Sequence, residues 1–285
     1  MTGSIGLPVI DTMIGFPHEG FDQYDLIKKQ TKDADSRENM EFPVEYMFKE
    51  VPDPAAEEED PIAVTFAEMD RFNVETGLFG MSPDALEGQR RDPKRVALTL
   101  EADPNDVMGS IRKVKAAQAE HDVKAVTFFP AGCLPQVPVD DPKAYALYAA
   151  CVDLDLAVVV NAGIAGPRFP SDCQHVMRFD RVCYDFPELR IVMRHGAEPW
   201  EDLAVKLMLK WPGLHYMTSG FAPKYYPKAV IDYANTRGAE KVMYAGYYPM
   251  GLSLERIFDE LPHVPLRDHV WPPFLRDNAR RVFQL

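Results

Sequence analysis

The sequence predicts an α/β chain, a (β/α)8 or TIM barrel with a long insertion after its first strand. Three observations predict it. Eight short apolar runs recur along the chain, amphipathic segments of helical period lie between most of them, and 285 residues suit one such barrel. Several runs are Val-rich and apolar on both faces, as strands buried on both sides of a parallel sheet are. A doubly wound open sheet is the structural alternative, but no Gly-rich phosphate loop follows the first run. Residues 1–285 are therefore expected to form one domain, with 15–60 as a lid-like insertion.

The first strand is "PVID" near 8–11. The others are "VETGLF" at 74–79, "RVALTLE" at 95–101, "VKAVTFF" at 123–129, "LAVVVNA" at 156–162, "LRIVMRH" at 189–195, "LHYMTS" at 214–219 and "KVMYAG" at 241–246. Helices are expected over 61–72, where Pro61 suits a first helical turn, and over 104–120, where Val107, Ile111, Val114 and Ala117 share a face. Further helices are expected over 141–154, 172–186, 199–210, 227–237 and 252–260. A closing helix near the C-terminus should pack Val282, Phe283 and Leu285 against the barrel. The exception to this rhythm is 15–60, which is polar and holds the acidic run "DPAAEEED" at 53–60. Long loops after barrel strands tend to cover the catalytic mouth, which makes this segment a lid.

Composition excludes several classes of function. Hydrophobic residues at 46% and charged residues at 26% are those of an ordinary globular protein. The net charge of −13 disfavours nucleic acid and anionic membranes as partners. No stretch approaches the ~20 apolar residues of a membrane span, and "MTGSIGLPVI" lacks the basic and apolar regions of a secretory signal. Four cysteines with no C-x-x-C spacing read as reduced structural thiols, so a cytoplasmic location is expected.

In such barrels chemistry sits at the C-terminal ends of the strands. That rule selects Asp11, Glu101, Phe129, Asn161, His195, Ser219 and Tyr247. His195 is the most informative: it ends an apolar run and precedes a glycine in "RHGAEPW", so the chain can turn beside an accessible imidazole. With an ordinary pKa near 6.5 it is a candidate general acid or base. Lys224 and Tyr225, after the seventh strand, are candidates for binding a substrate carboxylate, against a solvated loop as the plain alternative. No H-x-H or H-E-x-x-H metal motif and no G-x-S-x-G serine elbow occurs.

Four segments carry a resemblance. "VIDTMIG" resembles I-D-x-H-x-H, "DFPELRIVMRHGAEPW" is similar to D-F-P-x-L-x-I-V-x-x-H-G-G, "RGAEKVMYAGYYPM" resembles G-x-x-R-V-L-F-G-S-D-Y-P, and "DNARRVFQL" matches N-A-R-R-L-F-x-L. Together they resemble the amidohydrolase-related family that includes aminocarboxymuconate semialdehyde decarboxylase and the resorcylate decarboxylases. The resemblance implies a divalent metal on two histidines after strand one, a histidine ending strand five and an aspartate ending strand eight. Those positions here are Met13, Gly15, Asn161 and Tyr247. His195 matches the catalytic histidine of the family, and Asp11 the aspartate before the first ligand.

A thioether, a hydrogen, a carboxamide and a phenol do not replace three imidazoles and a carboxylate around a divalent ion. Two functions are expected from this pattern. The first is a metal-independent hydrolase or carbon–carbon lyase acting on a small carbonyl or carboxylate compound, without a cofactor. In it His195 moves protons with Asp11 or Glu101, Tyr247 and Asn161 donate to an oxyanion, and Met13 and Lys224 line the substrate. The second is a pseudoenzyme, a binding module or partner subunit of a complete relative. By the resemblance, a homodimer or larger homo-oligomer is expected, or a hetero-oligomer with a related subunit.

Overall fold

The computed structural model describes residues 6–17, 25–38, 44–47 and 60–285. His18 and the acidic run up to residue 59 lie outside them, as does much of the expected lid. Eight parallel strands follow one another in the sheet in chain order: β1 (Val9–Asp11), β2 (Val74–Gly80), β3 (Val96–Glu101), β4 (Ala125–Phe128), β5 (Ala157–Asn161), β6 (Ile191–Arg194), β7 (Leu214–Met217) and β8 (Val242–Met243). The ring closes just beyond the C-terminal ends of β8 and β1, where Ile14 and Tyr248 form a parallel bridge. Tyr247 N donates to Met13 O at 2.8 Å, Gly15 N to Tyr248 O at 2.8 Å, and the Thr12 hydroxyl to Tyr244 O at 2.5 Å. The fold is the expected (β/α)8 barrel.

The connecting helices are α1 (Asp25–Gln30) and α2 (Ala34–Glu38) in the insertion, then α3 (Pro61–Arg71), α4 (Pro83–Arg91), α5 (Val107–His121), α6 (Pro142–Asp153), α7 (Arg178–Asp185), α8 (Glu201–Lys210), α9 (Lys228–Ala234), α10 (Leu254–Glu260) and α11 (Asn278–Phe283). Asp60, the last residue of the acidic run, caps α3: its Oδ1 accepts from Ile62 N at 3.0 Å. The sequence reading missed α4, which is short, polar and interrupted by Gly88. Its Ser82 cap, accepting from Ala85 N, and Pro83 in the first turn were the signals available. The expected helix over 172–186 is a short turn at Asp172–Gln174 followed by α7. No helix among the described residues is long and apolar enough to cross a membrane.

Two layers of core follow from strand periodicity. Val126, Phe128, Val158, Val160 and Met193 face the helices, while Ala97, Ala125, Ala157, Val159, Val192 and Met217 face the barrel axis. Three inward residues near the N-terminal end, Ala97, Ala125 and Ala157, are small, and Val282, Phe283 and Leu285 pack against this inner cluster. The closing helix is therefore where the sequence placed its apolar face. The same alternation places Glu101, Asn161 and Arg194 one step above the inner cluster, at the C-terminal mouth.

Candidate active site

β6 ends in the pair that organises the mouth. Arg194 faces inward, and its Nε donates to Oδ1 of Asn161 on the neighbouring strand, whose own side chain is buried. The chain then turns through three consecutive left-handed residues, His195 at φ 66°, Gly196 at 89° and Ala197 at 61°. Only glycine adopts that conformation freely, so His195 and Ala197 hold strain of the kind that gathers at functional sites. A side chain at Gly196 would also collide with the Phe221 ring, 2.3 Å from its ideal Cβ.

Ser219, at the end of the β7 segment, fixes His195. Its Oγ accepts the His195 backbone N–H at 3.1 Å and lies 3.2 Å from Nδ1. The Ser219 hydroxyl donates to Nδ1 in the Nε2–H tautomer and accepts from it in the Nδ1–H tautomer. Tyr247 packs edge-on against the imidazole, with ring centroids 5.3 Å apart and 78° between planes. Burial, reinforced by the Arg194 charge, pushes the imidazole down from 6.5 to about 3. His195 is therefore a neutral group through the physiological range, where the sequence alone suggested ordinary titration. Burial also raises the Tyr247 hydroxyl, against the pull of Arg194, which keeps it protonated and able to donate.

The remaining sequence candidates fall in different places. Glu101 ends β3 and is exposed, close enough to Arg194 to favour its charged form. Met13 is half-buried against the inner cluster. Phe129 packs beside Ala131, Ala165 and Cys173 at the rim. Lys224 is exposed, with Nζ 3.6 Å from Glu260 of α10 and lying over the Tyr225 ring, so its charge is already engaged at the surface.

Asp11 is fully buried on the side of the sheet where the Tyr244 and Tyr226 rings pack. Its Oδ1 accepts from Gly246 N at 2.8 Å and Met13 N at 3.0 Å, which ties β1 to the chain after β8. Its Oδ2 and the Tyr244 hydroxyl face one another without reaching hydrogen-bond geometry. The structure thus brings Asn161, His195, Ser219 and Tyr247 together with Arg194, and sets Asp11 behind the barrel seam. Arg194 was the residue that sequence reasoning missed. The signal was a cation on the inward phase of an apolar strand, one position before the histidine.

The family model for amidohydrolases matches residues 24–285. The chain belongs to the amidohydrolase family. No curated protein matches this family member in sequence. Its fold is similar to that of an uncharacterised TIM-barrel protein from Bordetella bronchiseptica, at 20% identity and TM-score 0.78, covering 98% of this chain and 99% of the other. It is also similar to a 5-carboxyvanillate decarboxylase of Novosphingobium aromaticivorans, complexed with manganese and 4-hydroxy-3-methoxy-5-nitrobenzoic acid. There the identity is 16% and the TM-score 0.67, with 100% and 98% of the two chains covered. A third likeness is to a probable 2-pyrone-4,6-dicarboxylic acid hydrolase of Acinetobacter baumannii with citric acid bound, at 12% identity and TM-score 0.64, covering 98% and 100%. At these identities the likenesses show the fold.

The manganese in that decarboxylase structure raises the question of whether the mouth of this chain could hold a metal. Its donor set does not fit one. Gly15 contributes no side chain, Met13 offers a thioether, the Asn161 oxygen is occupied by Arg194, and Tyr247 holds its proton. A guanidinium beside Asn161 also repels a divalent cation. Among the described residues, no three His, Cys, Asp or Glu side chains gather as ligands.

Proposed function

We propose that this amidohydrolase-family chain is a metal-independent hydrolase or carbon–carbon lyase acting on a small carbonyl or carboxylate compound. The observation that carries this reading is the convergence of Arg194, His195, Asn161 and Tyr247 at the strand ends, with donors in place of metal ligands. Decarboxylation, carbon–carbon cleavage and carbonyl hydrolysis all build negative charge on an oxygen. Preorganised donors aimed at that charge supply the largest part of many enzymes' acceleration. The protonated Tyr247 phenol and the neutral His195 imidazole are such donors. Arg194 lends a fixed positive charge, and Asn161 holds it in place.

His195 also remains the candidate proton carrier. Its low basicity lets it accept a proton only in passing, which suits a group that returns the proton within the same turnover. The described parts of the insertion support a cover over this mouth. Gln30 Nε2 donates to Gly132 O after β4 at 3.0 Å, Tyr46 donates to Gly166 O after β5 at 2.6 Å, and Asp33 pairs with Arg168 at 2.7 Å.

A second reading, a binding module without turnover, is favoured by the same low basicity of His195. Turnover separates the two. Aromatic hydroxycarboxylates, lactones and β-keto acids, incubated with chelator-treated protein and followed by chromatography, are expected to yield a product that EDTA does not suppress. A product that forms only after manganese or zinc is added would contradict the metal-independent reading.

A further inference from the structure

We infer that Arg194 is the resident cation of this mouth: its guanidinium receives a carboxylate where the donor set does not hold a divalent ion. The inference rests on the metal-independent reading above and names the residue and ligand chemistry that this reading leaves open. Arg194 stands at the inward-facing C-terminal end of β6, at the level of Asn161, which occupies a metal-ligand position of the family. The bond from Nε to the buried Asn161 oxygen fixes the plane of the guanidinium, leaving the Nη1 and Nη2 edge for another partner. No hydrogen bond takes those two nitrogens among the described residues, and neither is sealed from solvent without a partner.

Other half-buried arginines in this protein are differently placed. Arg178 is paired with Asp140 at 2.8 Å, and Arg190 with Asp155 at 2.7 Å. Arg194 has no ion pair among the described residues; Glu101 acts on it only from a distance. A half-buried guanidinium without a carboxylate carries a desolvation cost that its one bond to Asn161 offsets only in part. A planar fork beside neutral donors is also the geometry that grips a carboxylate through two parallel hydrogen bonds. An arriving carboxylate would offset that cost and place its adjacent carbon beside His195 and Tyr247.

Calorimetric titration of the full chain tests this, after chelator treatment and at fixed ionic strength. The probes are benzoate, malonate and acetate, each against its neutral amide. At least one carboxylate is expected to bind while its amide does not, and Arg194→Met is expected to weaken that binding roughly 10- to 100-fold. Arg194→Lys keeps the charge but loses the fork, so its affinity should fall between the two. Circular dichroism establishes that each variant is folded, and if the Met variant is not, the Lys variant decides. The inference is overturned if no carboxylate binds, if amide and acid bind alike, or if the folded variants bind as the wild type does. Binding that requires added manganese would instead remove the metal-independent reading. Binding that needs no metal and ignores Arg194 would remove this inference alone.

Discussion

Replacing His195 with Ala is expected to lower turnover about 10²–10³-fold, the usual cost of removing one positioned donor from an oxyanion site. The fold should tolerate the change. Ser219 Oγ accepts from the His195 backbone N–H, a bond that Ala keeps, and Ala adopts a left-handed φ elsewhere in the same turn, at Ala197. The pH profile separates donor from base. An imidazole held near 3 by burial and by Arg194 stays neutral from pH 5 to 9, so it contributes no inflection in that range. A wild-type rate that falls below pH 6.5, with the inflection lost in the variant, would make His195 a titrating base instead. Unchanged turnover in the variant would remove the imidazole from the chemistry.

The second large effect belongs to Asp11 and concerns stability. Burial raises its carboxyl from 3.8 to about 7, opposed by the hydrogen bonds from Gly246 and Met13. A carboxyl with a raised folded-state pKa retains a proton that the unfolded chain has released. Its contribution is therefore fully present below about pH 4 and is lost as pH rises through 7. The difference amounts to roughly 4 kcal/mol. Asn keeps the oxygen that serves Gly246 and Met13 and offers a donor towards Tyr244. Between pH 4 and pH 8, the stability of Asp11→Asn relative to the wild type is thus expected to rise by about that amount. Paired carboxylates such as Asp180 and Asp185 act in the opposite sense in both proteins, and the comparison cancels them. Denaturant unfolding of both proteins across this range measures it. A constant difference would show that Asp11 does not titrate at the seam.

Much of the barrel was legible because its strands bury both faces, so each prints as a short apolar run between segments of helical period. What was less legible has particular physical causes. α4 carries few apolar residues and a central glycine, so its amphipathic signal is weak even though its cap is well formed. The mouth follows the inward phase of each strand, and phase depends on where pairing begins. β1 shows this: its register to β2 shifts between Val9 and Ile10, and Asp11 emerges among the outer tyrosines. His195 was visible because a histidine before a glycine interrupts an apolar run. Arg194, its neighbour, was passed over because the expected sixth strand ran one residue further, to His195, and one residue was taken from each strand end. Its importance lies in a bond to Asn161, 33 residues away, that no local pattern encodes.

Elemental analysis of the protein tests most directly whether this mouth works through a side-chain cation and not a metal ion. The protein would be purified without chelator from cells supplied with manganese and zinc. Met13, Gly15, Asn161 and Tyr247 offer no adequate ligand set, and Arg194 repels a cation, so well under one equivalent of metal per chain is expected after gel filtration. Close to one equivalent, retained through the column and lost on Asn161→Ala, would contradict it.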